Sequence, residues 1–295
     1  MAKKVIIVGC NGLLGQKLVA QFRTKYDVLG CGIELQLLFK ADIRYQQLDI
    51  TKRPQVKRII MGEKPHLVIN AAAYTDVDRA EKEKELCWAV NVSGVENLSY
   101  YTHLVNAKLI HISTDYVFDG YKGNYSENDR PNPLSYYAKS KLAGENAVIA
   151  SGVEHIIART AVLYGHAENV RPNFVTWLIS QLKQRKQVTI VDDQIGNPTL
   201  ADNLSEAIAT AVQLDAQGVY HLAGREAIDR FHFAIKIAEI FELDTNLIQK
   251  GKSDTLKQLA QRPLNASLNV SKAITELGVN LYNVKEGLQV LKSQI

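Results

Sequence analysis

The first twenty residues constrain the fold more than any other stretch of this chain. Residues 5–8, Val-Ile-Ile-Val, form a short run rich in β-branched side chains between Lys4 and Gly9, the pattern of a strand buried on both faces. It runs straight into Gly9-Cys-Asn-Gly12-Leu-Leu-Gly15, after which Lys17, Leu18, Val19 and Phe22 fall at helical spacing. Strand, Gly-rich turn and helix in immediate succession open a βαβ unit, and in that setting each glycine has a physical use. Gly9 permits the tight turn, Gly12 lets the backbone approach a pyrophosphate, and Gly15 lets the helix pack close to the strand, with the helix N-terminus facing the phosphates. The spacing, Gly-x-x-Gly-x-x-Gly, is one residue longer at the front than the usual dinucleotide fingerprint. A glycine triplet can also be a plain βα turn, but its place at the start of the chain favours cofactor binding.

The alternation continues. Further strands are predicted at residues 27–31, 44–48, 65–73, 108–112 and 155–159, and helices at 78–90, 91–105 and from 135 onward. This order predicts an α/β fold, a doubly wound parallel sheet of the Rossmann type, with ligands at the C-terminal strand edges. Beyond residue 160 the composition changes: helices are expected at 173–185, 201–214 and 231–241, and short strands at 188–191 and 219–222. We expect residues 1–160, with a returning segment near 186–225, to form the dinucleotide domain. Residues 161–185 and 226–295 are expected to form a smaller, partly discontinuous α/β domain. Residues 119–133 are rich in Gly, Asn, Asp and Pro, which is turn chemistry, and are long enough to act as a flap over the site.

Composition narrows the class. The 35 basic and 31 acidic side chains leave a net charge of +4 with no basic run of the kind that marks a nucleic-acid or membrane surface. Cys10, Cys31 and Cys87 are odd in number and widely spaced, which fits reduced thiols rather than a disulfide framework. No 18-residue apolar run and no signal-type segment is present, so a cytoplasmic location is expected, with neither nucleic acid nor membrane as partner. No cluster of residues at metal-ligand spacing demands a metal.

Three groups of residues carry chemistry. Glu34 is the acid nearest the expected end of the second strand, where a carboxylate accepts from an adenosine ribose 2′-OH and repels a 2′-phosphate; a surface glutamate is the plain alternative. Asp49 and Ile50, at the end of the third strand, pair a carboxylate with an apolar side chain that would flank an adenine. Ala71, Ala72 and Ala73 end the fourth strand with small side chains, leaving room for a ligand against the backbone. Finally, Tyr137 and Lys141 lie four residues apart on one predicted helix and project from the same face. A fixed ammonium beside a phenol favours the phenolate and eases proton transfer near neutrality. With 13 tyrosines in the chain such a pair also arises by chance, so it needs support from elsewhere.

That support lies in longer segments: Ile69-Asn-Ala-Ala-Ala-Tyr-Thr-Asp-Val-Asp-Arg-Ala-Glu81, Ser113-Thr-Asp-Tyr-Val-Phe-Asp-Gly120, Tyr137-x-x-x-Lys-Leu-Ala-Gly-Glu145, Arg159-Thr160, Gln194-x-Gly-x-Pro-Thr199 and Arg262-Pro263. With the Gly-rich turn, they resemble the extended short-chain dehydrogenases/reductases, and among these the sugar-nucleotide branch of dTDP-4-dehydrorhamnose reductases. The resemblance runs from residue 9 to beyond 260. It implies NADPH or NADH as cofactor and a nucleoside-diphosphate sugar as substrate of an oxidoreductase, with a possible homodimer as the assembly. It implies Tyr137 as proton donor to the sugar O4, Lys141 as the group that lowers the Tyr pKa and holds the nicotinamide ribose, and Thr114 as a second hydrogen bond to that oxygen. Gly9, Asn11, Gly12, Leu13, Leu14, Gly15, Asp49, Ile50, Ala71, Ala72 and Ala73 would line the dinucleotide. Val77, Asp115, Asn173, Gln194 and Arg262 would neighbour the sugar nucleotide. In many of these reductases a Trp that packs on the sugar follows Arg-Thr, whereas here Ala161-Val162-Leu163 follows, which bears on the identity of the sugar. Related dehydratases tend to carry Asp-Glu after the Thr; Asp115-Tyr116 here disfavours dehydration. A non-catalytic regulatory subunit of the methionine adenosyltransferase type, and an epimerase or another reductase, share the scaffold.

Overall fold

The computed structural model describes residues 3–255 and 258–295. Seven strands form one parallel sheet: β1 (Lys4–Val8), β2 (Asp27–Gly32), β3 (Arg44–Gln47), β4 (Leu67–Asn70), β5 (Lys108–Thr114), β6 (His155–Thr160) and β7 (Gly218–His221), in the spatial order β7-β6-β5-β4-β1-β2-β3. The predicted strands of the first 160 residues are therefore all in it. Within β1, Val5 and Ile7 bury into one apolar cluster and Ile6 and Val8 into another, which is why the run is continuous rather than alternating. Helices Leu13–Phe22 and Ala201–Gln213 cover the first face; Arg53–Glu63, Gly94–Leu104 and Tyr136–Ala150 cover the second.

The direction of winding reverses between β1 and β4, and there the strand ends align. Val8 lies opposite Cys31 on one side and Asn70 on the other, so Gly9 and Ala71 emerge side by side at the C-terminal edge. A crevice opens at such a point because the connections leave it in opposite directions.

A third apolar cluster joins helices Phe174–Lys183, Arg230–Ile240 and Val284–Lys292 with a separate pair of parallel strands, Val188–Val191 and Ile248–Gly251. Packing here differs from the expected division at two places. Val188–Val191 belongs with this outer cluster and not with the central sheet, whereas residues 268–281 return to the first face of the sheet. Composition carries no information on either, since both segments are ordinary amphipathic sequence whose partner lies far away in the chain.

Two further expectations change. In place of a break between helices near residue 90, the chain runs from Lys84–Trp88 through a π-helical turn, Ala89–Ser93, into Gly94–Leu104. The expected flap, residues 119–133, is pinned down instead. Phe118 and Tyr125 stack with centroids 4.3 Å apart, the Tyr125 amide donates to the Ser267 carbonyl at 2.8 Å, and none of these residues lines the crevice.

Candidate active site

The Gly-rich turn is held by contacts that only glycine permits. Gly9 has φ +79°, and a Cβ there would lie 2.7 Å from the Ala72 nitrogen; a Cβ at Gly15 would lie 2.1 Å from the Gly9 carbonyl oxygen. Gly12 differs: its Cβ would meet nothing closer than that same oxygen at 3.4 Å, so its missing side chain leaves the crevice floor clear. The crevice is a cavity of about 770 Å³, and Gly9, Asn11, Gly12, Leu13, Leu14, Gly15, Glu34 and Leu38 line it. The first amides of helix Leu13–Phe22 have no intrahelical acceptors and its N-terminus carries positive dipole charge, which suits a phosphate group. Beside them Asn11 is buried, donating from Nδ2 to Glu34 Oε2 at 2.9 Å and accepting at Oδ1 from the Leu38 amide at 3.0 Å. Glu34 is thus fixed at the cavity wall, its other oxygen without a hydrogen-bond partner among the described residues.

Thr114, Asp115, Tyr137 and Lys141 line the same cavity. Helix Tyr136–Ala150 presents the last two, and three devices dock it. Ser135 caps it, its hydroxyl accepting from the Ala138 amide. Arg159 of β6 donates twice to the Glu145 carboxylate, at 2.9 and 2.7 Å, in a pair with almost no solvent exposure, and the Ser113 hydroxyl donates to the same group. Gly144 lets the helix approach the π-helical turn, since a Cβ there would stand 2.4 Å from the Asn91 carbonyl oxygen. Asn91 is buried by that turn, accepting from the Tyr74 amide at 2.9 Å and donating to Ser140 Oγ at 2.9 Å, next to Lys141. Isolated π turns occur frequently at functional sites.

Electrostatics at the pair differ from the simple expectation. Burial, the largest influence, pushes the Tyr137 phenol well above its usual range, while the neighbouring Thr114 hydroxyl draws it down. Lys141 donates from Nζ to the Ile112 carbonyl at 2.7 Å, and burial lowers its ammonium to about 8, with Glu145 opposing. The phenol therefore holds its proton firmly at neutral pH, as a proton donor must. Asp115 is pushed up to about 7 by burial, against the Thr114 hydroxyl that donates to it at 3.0 Å and the Arg230 guanidinium.

Several residues expected at a ligand are engaged elsewhere. Asp49 accepts from the Thr51 amide and hydroxyl at 2.9 and 2.7 Å, Ile50 packs under Gly94, and neither lines the cavity. Ala71 and Ala73 line it, but Ala72 does not. Val77 packs into a small cluster with Cys87 behind Tyr137. Asn173 lines the cavity, yet its side chain caps helix Phe174–Lys183 through Oδ1 and donates from Nδ2 to the Gly165 carbonyl. Gln194 donates to Ser253 Oγ at 2.9 Å. Arg262 forms a two-point pair with Asp78 at 3.0 and 2.7 Å, so these two motif residues, 184 positions apart, serve each other. Neither Trp88 nor Trp177 lines the cavity; Phe174 does, along with Ala161, Val162 and Leu163. Arg171 and Arg230 also line it. They stand in no motif, and no sequence signal marks them. Among the described residues no group of three or more His, Cys, Asp or Glu side chains converges, and no helix is long and apolar enough to cross a membrane.

A parallel sheet wound in this order, a Gly-rich turn at the switch point and a Tyr and Lys one helical turn apart in the same crevice define a short-chain dehydrogenase/reductase. More narrowly, the chain belongs to the family described as the RmlD substrate binding domain, whose model matches residues 3–294. It is 32% identical to a dTDP-4-dehydrorhamnose reductase of Aggregatibacter actinomycetemcomitans over 98% of each chain. It is also 30% identical to methionine adenosyltransferase 2 subunit beta of Xenopus laevis, over 94% of this chain and 83% of that one. Among solved structures, a dTDP-4-dehydrorhamnose reductase of Bacillus anthracis in complex with NADP superposes with a TM-score of 0.91 over 100% of both chains at 32% identity.

Proposed function

We propose that this protein is an NAD(P)H-dependent reductase acting on the C4 ketone of a nucleoside-diphosphate 4-keto-6-deoxy sugar, converting dTDP-4-dehydrorhamnose to dTDP-L-rhamnose. The observation that carries this reading is that Thr114, Tyr137 and Lys141 line the same cavity as Gly9, Gly12 and Gly15. The clear floor at Gly12 and the unsatisfied amides of helix Leu13–Phe22 fit a dinucleotide diphosphate, and Glu34 fits a ribose hydroxyl. A nicotinamide cofactor bound there would supply hydride to the carbonyl carbon.

The chain's own residues handle the proton. As charge develops on the ketone oxygen, Tyr137 donates its phenolic proton to it and Thr114 donates a hydrogen bond, which is the electrostatic stabilisation that lowers such barriers most. Lys141, largely charged at neutral pH, stabilises the phenolate left behind, which then takes a proton from solvent. Asn91 is a positioning residue: through Ser140 it fixes the helix turn that carries Lys141. The alcohol oxygen leaves with the proton, and no water is eliminated.

The relatives named as methionine adenosyltransferase subunits support a second reading, a non-catalytic cofactor-binding subunit. An absorbance assay at 340 nm separates them: with dTDP-4-keto-6-deoxy sugar made in situ, the reductase consumes NAD(P)H in proportion to substrate, an epimerase recycles it, and a regulatory subunit leaves it untouched. A cytoplasmic homodimer is the form we expect, to be checked by fractionation and by light scattering.

A further inference from the structure

Gln16 follows the last glycine of the Gly-rich turn and is only 7% exposed. Both polar atoms of its side chain meet backbone. Nε2 donates to the Asn11 carbonyl at 3.0 Å and to the Glu168 carbonyl at 2.7 Å, and Oε1 accepts from the Glu168 amide at 3.0 Å. The side chain therefore pairs with Glu168 much as one strand pairs with another, across 152 positions of chain, and ties it to the turn.

Glu168 belongs to the loop of residues 165–173, whose two ends are joined at its base. Asn173 donates from Nδ2 to the Gly165 carbonyl at 2.7 Å and caps the helix that follows. The rest of the loop is fastened at three points. These are Gln16 after β1, the Leu38 carbonyl after β2, which accepts from Asn169 Nδ2 at 2.6 Å, and the Thr75 hydroxyl after β4, which accepts from Arg171. A compact loop with a closed base and a few bonds beyond it can open while the rest of the fold stays intact. Residues 169–173 line the same cavity as the Gly-rich turn and Glu34. The anchors also serve the cofactor end directly, because the Leu38 amide holds Asn11 and Asn11 holds Glu34.

We propose that residues 165–173 form a strap that retains the dinucleotide in the crevice, and that Gln16 is the positioning residue that latches it, so that release of the latch sets how fast the cofactor leaves. The inference rests on the dinucleotide-binding part of the reading above and not on sugar reduction, since a non-catalytic subunit that holds the cofactor would use the same latch.

Two variants of the full chain test it. Gln16→Met keeps the length of the side chain and removes its three hydrogen bonds; Asn169→Gly removes the bond to Leu38 without touching the turn, and glycine suits the left-handed backbone there, φ +53°. Dissociation of NADH, chased with excess NAD⁺ and followed by stopped-flow fluorescence, should be faster by about 10- to 100-fold in Gln16→Met and by about 3- to 10-fold in Asn169→Gly, as expected for loss of several bonds and of one. Hydrogen exchange read by mass spectrometry should rise in the peptides covering 165–173 in both variants, and bound NADH should slow it in the native chain. Native release rates in both variants overturn the proposal, as does a native chain that binds no NADH. Faster release in Gln16→Met with exchange of 165–173 unaltered also overturns it, because the effect would then lie in the Gly-rich turn alone. If release and exchange change as expected but the native protein oxidises no NADH with the sugar nucleotide, the strap stands and the reductase reading falls. If NADH is oxidised and both variants release it at the native rate, the reverse holds.

Discussion

Replacing Glu34 with alanine should change which cofactor the protein uses. The Glu34 carboxylate is held at the cavity wall by Asn11, with one oxygen available to a ribose 2′-OH. That hydrogen bond is charge-assisted and contributes about 1.5 kcal/mol. A 2′-phosphate in its place would bring about two negative charges to within roughly 5 Å; in a half-exposed site with an effective dielectric of about 40–80, repulsion is about 2–3 kcal/mol before screening. The two cations that follow Glu34 most closely in the sequence are directed elsewhere. Lys40 lines a separate cavity beside helix Leu13–Phe22, and Arg44 is engaged by Glu63 and Asp27. After screening, the two effects sum to about 2–4 kcal/mol, or a preference for NADH over NADPH of roughly 30- to 700-fold, which Glu34→Ala should largely abolish. Steady-state kcat/KM for each cofactor, in native and variant protein, is the assay. A strong native preference for NADPH, unmoved by the substitution, refutes the reasoning by showing that Glu34 does not meet the ribose.

Gly12→Val should abolish cofactor binding, followed by NADH fluorescence, while the protein still folds, because its Cβ would meet only the Gly9 carbonyl oxygen, at 3.4 Å; Gly15→Val should fail to fold, because its Cβ would stand 2.1 Å from that oxygen. Tyr137→Phe should lower turnover by about 10² or more with cofactor affinity little changed, the usual size of a lost general acid. Arg159→Met leaves Glu145 buried without its partner and should cost about 3–5 kcal/mol in urea unfolding. Stability of the cofactor-free protein should rise with pH above 8: Lys141 is lowered to about 8 in the fold against 10.5 unfolded, so between these values the unfolded chain binds more protons and the penalty of a buried ammonium is progressively relieved. Urea midpoints from pH 7.5 to 9.5 should gain about 1–2 kcal/mol, and Lys141→Met should flatten that rise.

What was legible in the sequence is what local pattern encodes. Val5 to Val8 reads as a doubly buried strand because both of its faces meet a helix layer, and Gly15 is constrained by contact with Gly9 and Cys10 of the same βα unit. Tyr137 and Lys141 are one helical turn apart, so their proximity follows from helix geometry alone. Other engagements depend on partners brought from far along the chain: Arg262 is taken by Asp78 and Ile50 packs against Gly94, while Asn173 lines the cavity and also caps its own helix. The inward turn of Asn91 requires one extra residue per helical turn, which no periodicity predicts. Arg171 and Arg230 enter the cavity from segments outside the central sheet, and only the folded chain shows that they line it.

The central claim is that hydride from the cofactor reaches the C4 carbon of the sugar while Tyr137 supplies the proton. Incubating the protein with NADH carrying deuterium at both C4 positions of the nicotinamide, and analysing the sugar by mass spectrometry and proton NMR, tests it most directly. The account predicts one deuteron per product molecule, bonded to sugar C4, appearing in step with NADH oxidation and lost in Tyr137→Phe. Sugar that remains unlabelled, or is altered at another carbon without net oxidation of NADH, would contradict it.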